Sequence, residues 1–239
     1  MVRLPQARQR GLLAVMMLHP NQVLGADRLI SLIWGDDAQA TGTGSLRTLI
    51  WSVRRSLMPD EPLKHALGGY RLEVRSGELD LEEFRQLARL GGLAFDSGDH
   101  DTAVRILSQA LRLWAEPPLV DVPHTPAMLG AVHGLVEERR AAREALFTAR
   151  LALGHHRDLL PDLEAETSAY PQSERSWECL MIARYRCGRR AEALDAYLQA
   201  REYLAANYGI DPGPCLQQLH RQILADDAAL TVHVHWSGV

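Results

Sequence analysis

The most regular pattern in the sequence lies between residues 41 and 57, where apolar side chains recur at helical spacing. Four of them, spaced by four, three and four positions, fall on one face of an α-helix: Leu46, Ile50, Val53 and Leu57. The opposite face is polar, aromatic and basic, and the stretch contains no acidic residue. The pattern predicts an amphipathic helix with a cationic outer face.

The neighbouring segments predict two earlier helices and a later hairpin. Residues 5–19 and 26–34 carry helical apolar patterns, and residues 22–24 between them are typical of a short extended piece. Residues 63–74 alternate weakly between apolar and polar around a Gly-Gly pair, which is typical of a β-hairpin. Three helices followed by a hairpin is the element order of a winged helix. In that fold the third helix enters the major groove of DNA and the hairpin contacts the adjacent backbone.

From residue 78 onward the sequence predicts helices arranged in pairs. Gly154 and Gly188 lie thirty-four residues apart, each at the expected turn of a pair, and this is the period of tetratricopeptide repeats. Small or apolar residues follow Gly98 and Gly188 at the same offsets of five, nine and twelve: Ala103, Leu107 and Ala110 in one case, and Ala193, Tyr197 and Ala200 in the other. Each pair must bury its open face on the next, so the pattern predicts a helical repeat domain.

These patterns together predict a mainly α protein with two domains. A winged helix-turn-helix domain is expected over residues 1–75, and an all-α tetratricopeptide-like repeat domain over residues 78–228. The remaining residues, 229–239, are predicted to form a flexible tail.

Charge is distributed unevenly between the predicted domains. Residues 1–75 hold ten Arg or Lys against six Asp or Glu, whereas the remaining 164 residues hold sixteen against twenty-four. A basic amphipathic helix on its own is often just a solvated surface. A basic region joined to an acidic body is typical of a nucleic-acid-binding module attached to a second domain, and this favours a winged helix that binds double-stranded promoter DNA.

The residues expected at the DNA belong to the third helix and the hairpin: Ser45, Arg47, Thr48, Trp51, Arg54, Arg55, Lys64, His65 and Arg71. Ser45 and Arg47 are expected to reach the major groove, Thr48 and the two arginines after Trp51 the phosphates, and the hairpin residues the adjacent backbone. Trp51 could stack, or pack on sugar and backbone, but it cannot form a bidentate base contact.

No pattern in the sequence indicates an enzyme, a cofactor or a metal site. A GxSxG motif, a glycine-rich phosphate loop and an HExxH motif are all missing. The spacing of Cys179, Cys187 and Cys215 matches no zinc or redox motif, so core thiols are expected. His233 and His235 could hold a metal ion but have no third ligand nearby. The apolar run near the N-terminus is too short to span a bilayer, so a cytoplasmic, nucleoid-associated protein with no membrane partner is expected.

Six stretches carry a resemblance to a known family, in family order along nearly the whole chain. They are RQRGLLAVMMLHPNQVLGADRLISLIWGDD (8–37), SLRTLIWSVRRSL (45–57), GGYRLEV (68–74), ELDLEEF (78–84), ALRLWAEPPLVDVP (110–123) and YGIDPGP (208–214). On these stretches the chain resembles the SARP-type antibiotic regulatory family, in which a winged helix precedes a bacterial transcriptional activation domain. The resemblance implies a pathway-specific activator of secondary-metabolite biosynthesis genes that binds direct repeats, there as a homodimer, and recruits RNA polymerase subunits.

The chain departs from the family pattern at three places, which keep an alternative open. The family has a small sheet before the winged helix, and only residues 1–4 stand there, so either the given start is too late or the N-terminal sheet is truncated. Leu49, Trp51 and Ser52 occupy positions that are usually polar, and Ala66 stands where the wing usually carries an arginine. The alternative is a protein-interaction module with a degenerate winged helix that no longer reads DNA. Its exposed Leu49 and Trp51 would then contact a partner protein.

Overall fold

The computed structural model describes residues 4–40, 42–114 and 117–230, and these form two compact units. The first unit contains the described residues up to Arg85 together with those of Leu113–Arg139. The second contains Gln86–Arg112 and the described residues from Arg140 onward. The winged helix expected over residues 1–75 therefore shares its unit with segments from further along the chain.

The first unit begins with the predicted three helices and hairpin. The helices are α1 (Ala7–Leu18), α2 (Ala26–Trp34) and α3 (Thr43–Ser56), with a 3-10 helix, Gly35–Ala40, before α3. The hairpin consists of β1 (Leu63–Ala66) and β2 (Gly69–Leu72), which pair in antiparallel register. This element order confirms the winged helix-turn-helix predicted from the sequence.

The core of the first unit lies where α1, α2 and α3 meet the hairpin. Fully or almost fully buried side chains come from every one of these elements: Leu12, Met16, Leu29, Ile33, Leu46, Ile50, Val53, Leu63 and Leu72. Burial of each such apolar side chain contributes about 1.5–3 kcal/mol, so this shared core holds the third helix against the hairpin.

A later segment of the chain completes this unit. Val122 and Met128 are buried in the same core. The Arg10 guanidinium donates to the Asp121 carbonyl at 2.7 Å, and the Thr125 hydroxyl donates to the Leu32 carbonyl at 2.8 Å. The sequence pattern did not indicate these contacts, because each joins residues more than 90 positions apart.

The hairpin is fixed to the connection between α1 and α2 by backbone hydrogen bonds. Leu24 donates to the Tyr70 carbonyl at 2.9 Å and accepts from the Tyr70 amide at 3.0 Å. The predicted extended piece at 22–24 thus contributes an isolated bridge beside the hairpin. These two segments of the backbone approach so closely that a Cβ atom at position 69 would lie 2.0 Å from the Leu24 carbonyl oxygen. Only glycine fits at Gly69.

The second unit is helical, and the first residues of the two helices that begin at Asp80 and Pro126 belong to the first unit. The helices beyond the hairpin are α4 (Asp80–Asp96), α5 (His100–Arg112), α6 (Pro126–Ala152), α7 (His156–Ala169), α8 (Glu174–Arg186), α9 (Arg190–Tyr208) and α10 (Pro214–Leu224). The three glycines expected at the turns, Gly98, Gly154 and Gly188, have left-handed φ values of 81°, 85° and 77°. The chain therefore turns at all three predicted positions.

Small residues allow the helices of the second unit to pack closely. Ala193, Ala196 and Ala200 are completely buried along α9. Trp177 is buried and donates its indole N–H to the Pro171 carbonyl at 2.9 Å. At position 91 of α4 a Cβ atom would lie 2.6 Å from Cγ of Leu107 in α5, so Gly91 is needed for this contact.

The first two residues of the predicted flexible tail, 229 and 230, belong to a short helix instead. Ala228–Leu230 form this 3-10 helix, Leu230 is buried in the core of the second unit, and Arg186 donates to the Leu230 carbonyl at 3.0 Å. Residues 231–239, with His233 and His235, lie outside the described residues. Among the described residues, no helix is long and apolar enough to cross a bilayer.

The close approach at Gly69 gives a first prediction. Gly69→Ala should destabilise the first unit by about 3 kcal/mol, the upper end of the cost of overpacking, because the atom in the way belongs to the backbone. Gly44→Ala is the matched control, since a Cβ at position 44 meets nothing within 4 Å. Urea unfolding followed by circular dichroism measures both. Equal stabilities of the two variants would show that the wing does not depend on this approach.

Two adjacent glycines in α4 give a second prediction. Gly91→Ala should lower the free energy of unfolding by about 1–3 kcal/mol, because the added methyl group overpacks against Leu107. Gly92→Ala, where a Cβ meets nothing within 4 Å, should raise it by about 0.5–1 kcal/mol through helix propensity alone. Thermal unfolding of both variants tests the pair, and a shift of the same sign in both would contradict the prediction.

Candidate nucleic-acid interface

The outer face of α3 exposes most of the predicted DNA-contact residues. Ser45, Arg47, Thr48, Trp51 and Arg55 are all exposed, and α3 contains no acidic residue. Trp51 is 60% exposed, and the Arg55 guanidinium carbon lies 5.4 Å from the centre of its ring. Such a cation–π contact limits the rotamers of both side chains while leaving the guanidinium N–H groups available to an acceptor.

Leu49 does not lie on this outer face, so the expectation that it is exposed was wrong. Leu49 is only 7% exposed and belongs to the core of the first unit. It lies three positions after Leu46, which continues the buried stripe of α3. Ser52 also faces inward in part, since its hydroxyl accepts from the Gln9 side chain at 3.1 Å and donates to the Leu49 carbonyl at 2.7 Å. Gln9 and Ser52 thereby tie α1 to α3.

Arg54 has a structural contact in addition to its predicted role at phosphate. Its Nε donates to the carbonyl oxygen of Leu63, the first residue of the wing, at 2.7 Å. Arg54 is half-buried, whereas the adjacent Arg55 is exposed. Two consecutive arginines of α3 therefore have different environments, one against the wing and one toward solvent.

The three predicted hairpin residues lie on neighbouring positions of the two strands. Lys64 is paired with Arg71 in the strand register, and His65 with Tyr70. The His65 and Tyr70 rings make an edge contact with centroids 5.3 Å apart. Arg71 forms an ion pair of 2.6 Å with Glu73, so its positive charge is partly compensated within the wing.

The third helix, α3, and the wing line a common groove of about 240 Å³. Arg47 and His65 both line it, as do Gly68 and Tyr70 from the wing. Thr43, in the first turn of α3, lines it too and was not among the predicted contact residues. The structure thus brings Arg47 and His65 together, although they are eighteen positions apart in the sequence.

The tip of the wing is uncharged. Ala66, Leu67 and Gly68 form it, and Leu67 is fully exposed. Gly68 has a left-handed φ of 91°, which favours glycine at this position of the turn. Positive charge at this interface therefore comes from α3 and from the strands of the wing.

The other candidate chemistry of the chain does not converge on a site. Within the described residues, no three His, Cys, Asp or Glu side chains are placed to hold a metal ion. Burial raises the pKa of the Cys179 thiol to about 12, which keeps it protonated and unreactive. Cys215, in the first turn of α10, is exposed, contrary to the expectation of a core thiol, and is not among the buried residues of that helix, Leu216, Leu219 and Ile223.

The first unit also contains a cavity of about 300 Å³ away from α3. Apolar side chains line almost all of it, including Phe84, Trp114 and Leu135, and Asp80 supplies a carboxylate. The Phe84 and Trp114 rings meet edge to face with centroids 5.3 Å apart. Trp114 is only partly buried.

Known proteins resemble this chain over both units. A family model described as "Transcriptional regulatory protein, C terminal" matches residues 3–72. A second, "Bacterial transcriptional activator domain", matches residues 79–224. Regulatory protein DnrI of Streptomyces peucetius is 34% identical over 238 residues, which cover 95% of this chain and 87% of DnrI.

Larger proteins match the same region. Regulatory protein AfsR of Streptomyces coelicolor is 36% identical over 224 residues, which are 93% of this chain but 22% of AfsR. Among solved structures, Mycobacterium tuberculosis EmbR in complex with a low-affinity phosphopeptide has a TM-score of 0.83 at 32% identity, covering 92% of this chain and 60% of that chain. With a winged helix, an activator domain and a relative matched over almost its full length, the chain belongs to the SARP family of transcriptional activators.

Proposed function

We propose that this transcriptional regulator is a pathway-specific activator of antibiotic biosynthesis genes that holds promoter DNA with the outer face of α3 and the wing. The observation that carries the proposal is the exposed cationic face of α3, where Arg47 and Arg55 lie beside a wing fixed to the same core. Arginine is suited to phosphates and to guanine edges because its N–H donors form a planar fork.

The proposed contacts divide along α3. Ser45 and Arg47, near the N-terminus of the helix, reach base edges in the major groove, where a guanidinium can form a bidentate contact with guanine. Thr48 and Arg55 take phosphates, and Trp51 packs on sugar and backbone with Arg55 on its ring. Arg54 reaches a phosphate only with the N–H groups that its contact with Leu63 leaves available.

The wing is proposed to contact the DNA backbone beside the groove that α3 enters. Lys64, His65 and Arg71 lie on its two strands, and these side chains supply the donors. The ion pair with Glu73 reduces what Arg71 can add. We therefore expect Lys64 to contribute more than Arg71 to the salt dependence of binding.

The helical domain is proposed to act on proteins rather than on DNA. From residue 76 onward the chain holds sixteen basic and twenty-four acidic residues, a balance that disfavours contact with phosphate. Its proposed partners are RNA polymerase subunits and, on direct repeats, a second copy of the chain. This scheme places the protein in the cytoplasm at the nucleoid and gives it no catalytic role.

A protein-interaction module remains the second candidate because of one observation. Trp51 is largely exposed on the face that would meet DNA, and exposed aromatic residues are enriched at protein interfaces. Burial of Leu49 removes the rest of the apolar patch that this candidate needs. A mobility-shift assay with DNA from upstream of neighbouring biosynthetic genes separates the candidates. No shift even at low salt would favour the protein-interaction module.

The proposal predicts that Arg47→Ala combined with Arg55→Ala abolishes promoter binding at physiological salt. Each lost phosphate contact should also lower the slope of log K against log salt by about 0.9, since fewer counterions are released. Fluorescence anisotropy over a range of salt concentrations gives both quantities. Arg157→Ala, an exposed arginine of α7, is the control and should bind like the unaltered protein. Unchanged affinity of the double variant would overturn the proposal.

The adjacent arginines Arg54 and Arg55 provide a further test. Arg54→Ala should lower the free energy of unfolding by about 1–3 kcal/mol, because the Leu63 carbonyl loses a charged donor. Arg55→Ala should change it by less than about 1 kcal/mol, the worth of an exposed cation–π contact, but should reduce the salt slope more. Chemical unfolding and salt-dependent binding are measured on both variants. The reverse pattern would show that the two side chains are assigned to the wrong roles.

A further inference from the structure

Arg8, in the first turn of α1, lies beside α3 although it belongs to neither α3 nor the wing. It is exposed, and its guanidinium carbon lies 5.7 Å from the centre of the Trp34 ring, which is 9% exposed. A guanidinium stacked on a buried aromatic ring is held in place while its N–H edges stay available. Arg8 forms no ion pair with any other residue that the structure describes.

Arg8 shares a groove of about 530 Å³ with α3. Arg8 of α1 and Gln6, the residue before α1, line one side of it. Ser45 and Thr48 of α3 line it as well. The hydrogen bond from Gln9 to Ser52 holds the two helices together beside this groove. The Arg8 guanidinium and the exposed Ser45 hydroxyl are donors of the kind that phosphate oxygens accept from in protein–DNA complexes, whereas the Thr48 hydroxyl donates to the Gly44 carbonyl at 3.1 Å.

We infer that Arg8 is a further DNA-contact residue, which binds a backbone phosphate next to the base pairs that α3 meets. The inference rests on the proposed function and extends the interface from α3 and the wing to α1. Basic residues from three elements, α1, α3 and the wing, then contact the DNA.

A comparison with Arg10 shows why Arg8 is the arginine of α1 that remains for DNA. The Arg10 guanidinium donates to the carbonyls of Leu4, Pro5 and Asp121 at 2.7–3.1 Å and pairs with the Asp121 carboxylate at 2.9 Å. These contacts occupy Arg10 in holding the first unit together. Arg8, two positions earlier, contacts the Trp34 ring and makes no such hydrogen bond or ion pair within the described part of the chain.

One residue of the groove opposes a phosphate. Asp37 is exposed and lines the same groove as Arg8. A carboxylate within a Debye length of a bound phosphate, about 10 Å at 0.1 M salt, weakens binding. The inference therefore predicts opposite effects for neutralising the two charges: Arg8→Ala weakens binding and Asp37→Asn strengthens it.

The test measures binding of the full chain to a random-sequence DNA duplex by fluorescence anisotropy over a range of salt concentrations. Arg8→Ala should reduce the salt slope by about 0.9, which extrapolates to roughly eightfold weaker binding at about 0.1 M salt. Arg8→Lys is the matched variant and should keep the slope, since a lysine also neutralises one phosphate. Thermal unfolding of each variant is recorded alongside, and Arg8→Ala should unfold at nearly the temperature of the unaltered chain.

The outcomes separate the inference from the proposed function. If the unaltered chain does not bind the duplex at low salt, the proposed function fails and the inference fails with it. If the unaltered chain binds and Arg8→Ala leaves both affinity and slope unchanged, the inference alone is overturned. Weaker binding of Arg8→Ala with an unchanged slope and a lower unfolding temperature also overturns it, because Arg8 would then act through the packing of α1.

Discussion

The candidate interface depends on one backbone contact, the pairing of Leu24 with Tyr70 beside Gly69. Its two hydrogen bonds, of 2.9 and 3.0 Å, fix the hairpin to the connection between α1 and α2. The missing side chain at Gly69 is what allows this approach. A two-stranded hairpin alone is marginally stable in water, so this contact, together with Leu63 and Leu72 in the shared core, holds the wing in a defined position beside α3. The Arg54 contact with Leu63 adds a second connection from α3 itself.

Four arginines of α1 and α3 fall into two groups by their contacts. Arg10 and Arg54 have backbone carbonyl oxygens within reach and donate to them, so their charges serve the fold. Arg8 and Arg55 instead lie on aromatic rings, which fix the side chain but do not neutralise the charge. Arg8 and Arg10 in α1 thus differ in role, as do Arg54 and Arg55 in α3. Positive charge that is held in place and left unneutralised is what a phosphate requires.

The sequence could predict those features that depend on local spacing. The bounds of α2 and the left-handed glycines at 98, 154 and 188 follow from periodicity and turn chemistry within a few residues. The error at Leu49 arose because a residue three positions after Leu46 can border either face of a helix, and only the packing of α1 decides which. Arg54 with Leu63, and Arg8 with Trp34, join separate elements, so no local pattern could have indicated them.

The arrangement of charge also bears on how such a protein would recognise a sequence. Contacts from Arg8, Thr48, Arg55 and Lys64 to phosphates would raise affinity for any duplex and carry no base information. Arg47 is the exposed arginine in the first half of α3, where a recognition helix meets base edges, and the wing tip is uncharged. One bidentate contact gives about 1–3 kcal/mol of discrimination, far less than a promoter needs among competing sites. A second copy on a direct repeat, as proposed, would double that term and so raise the selectivity of binding in this scheme.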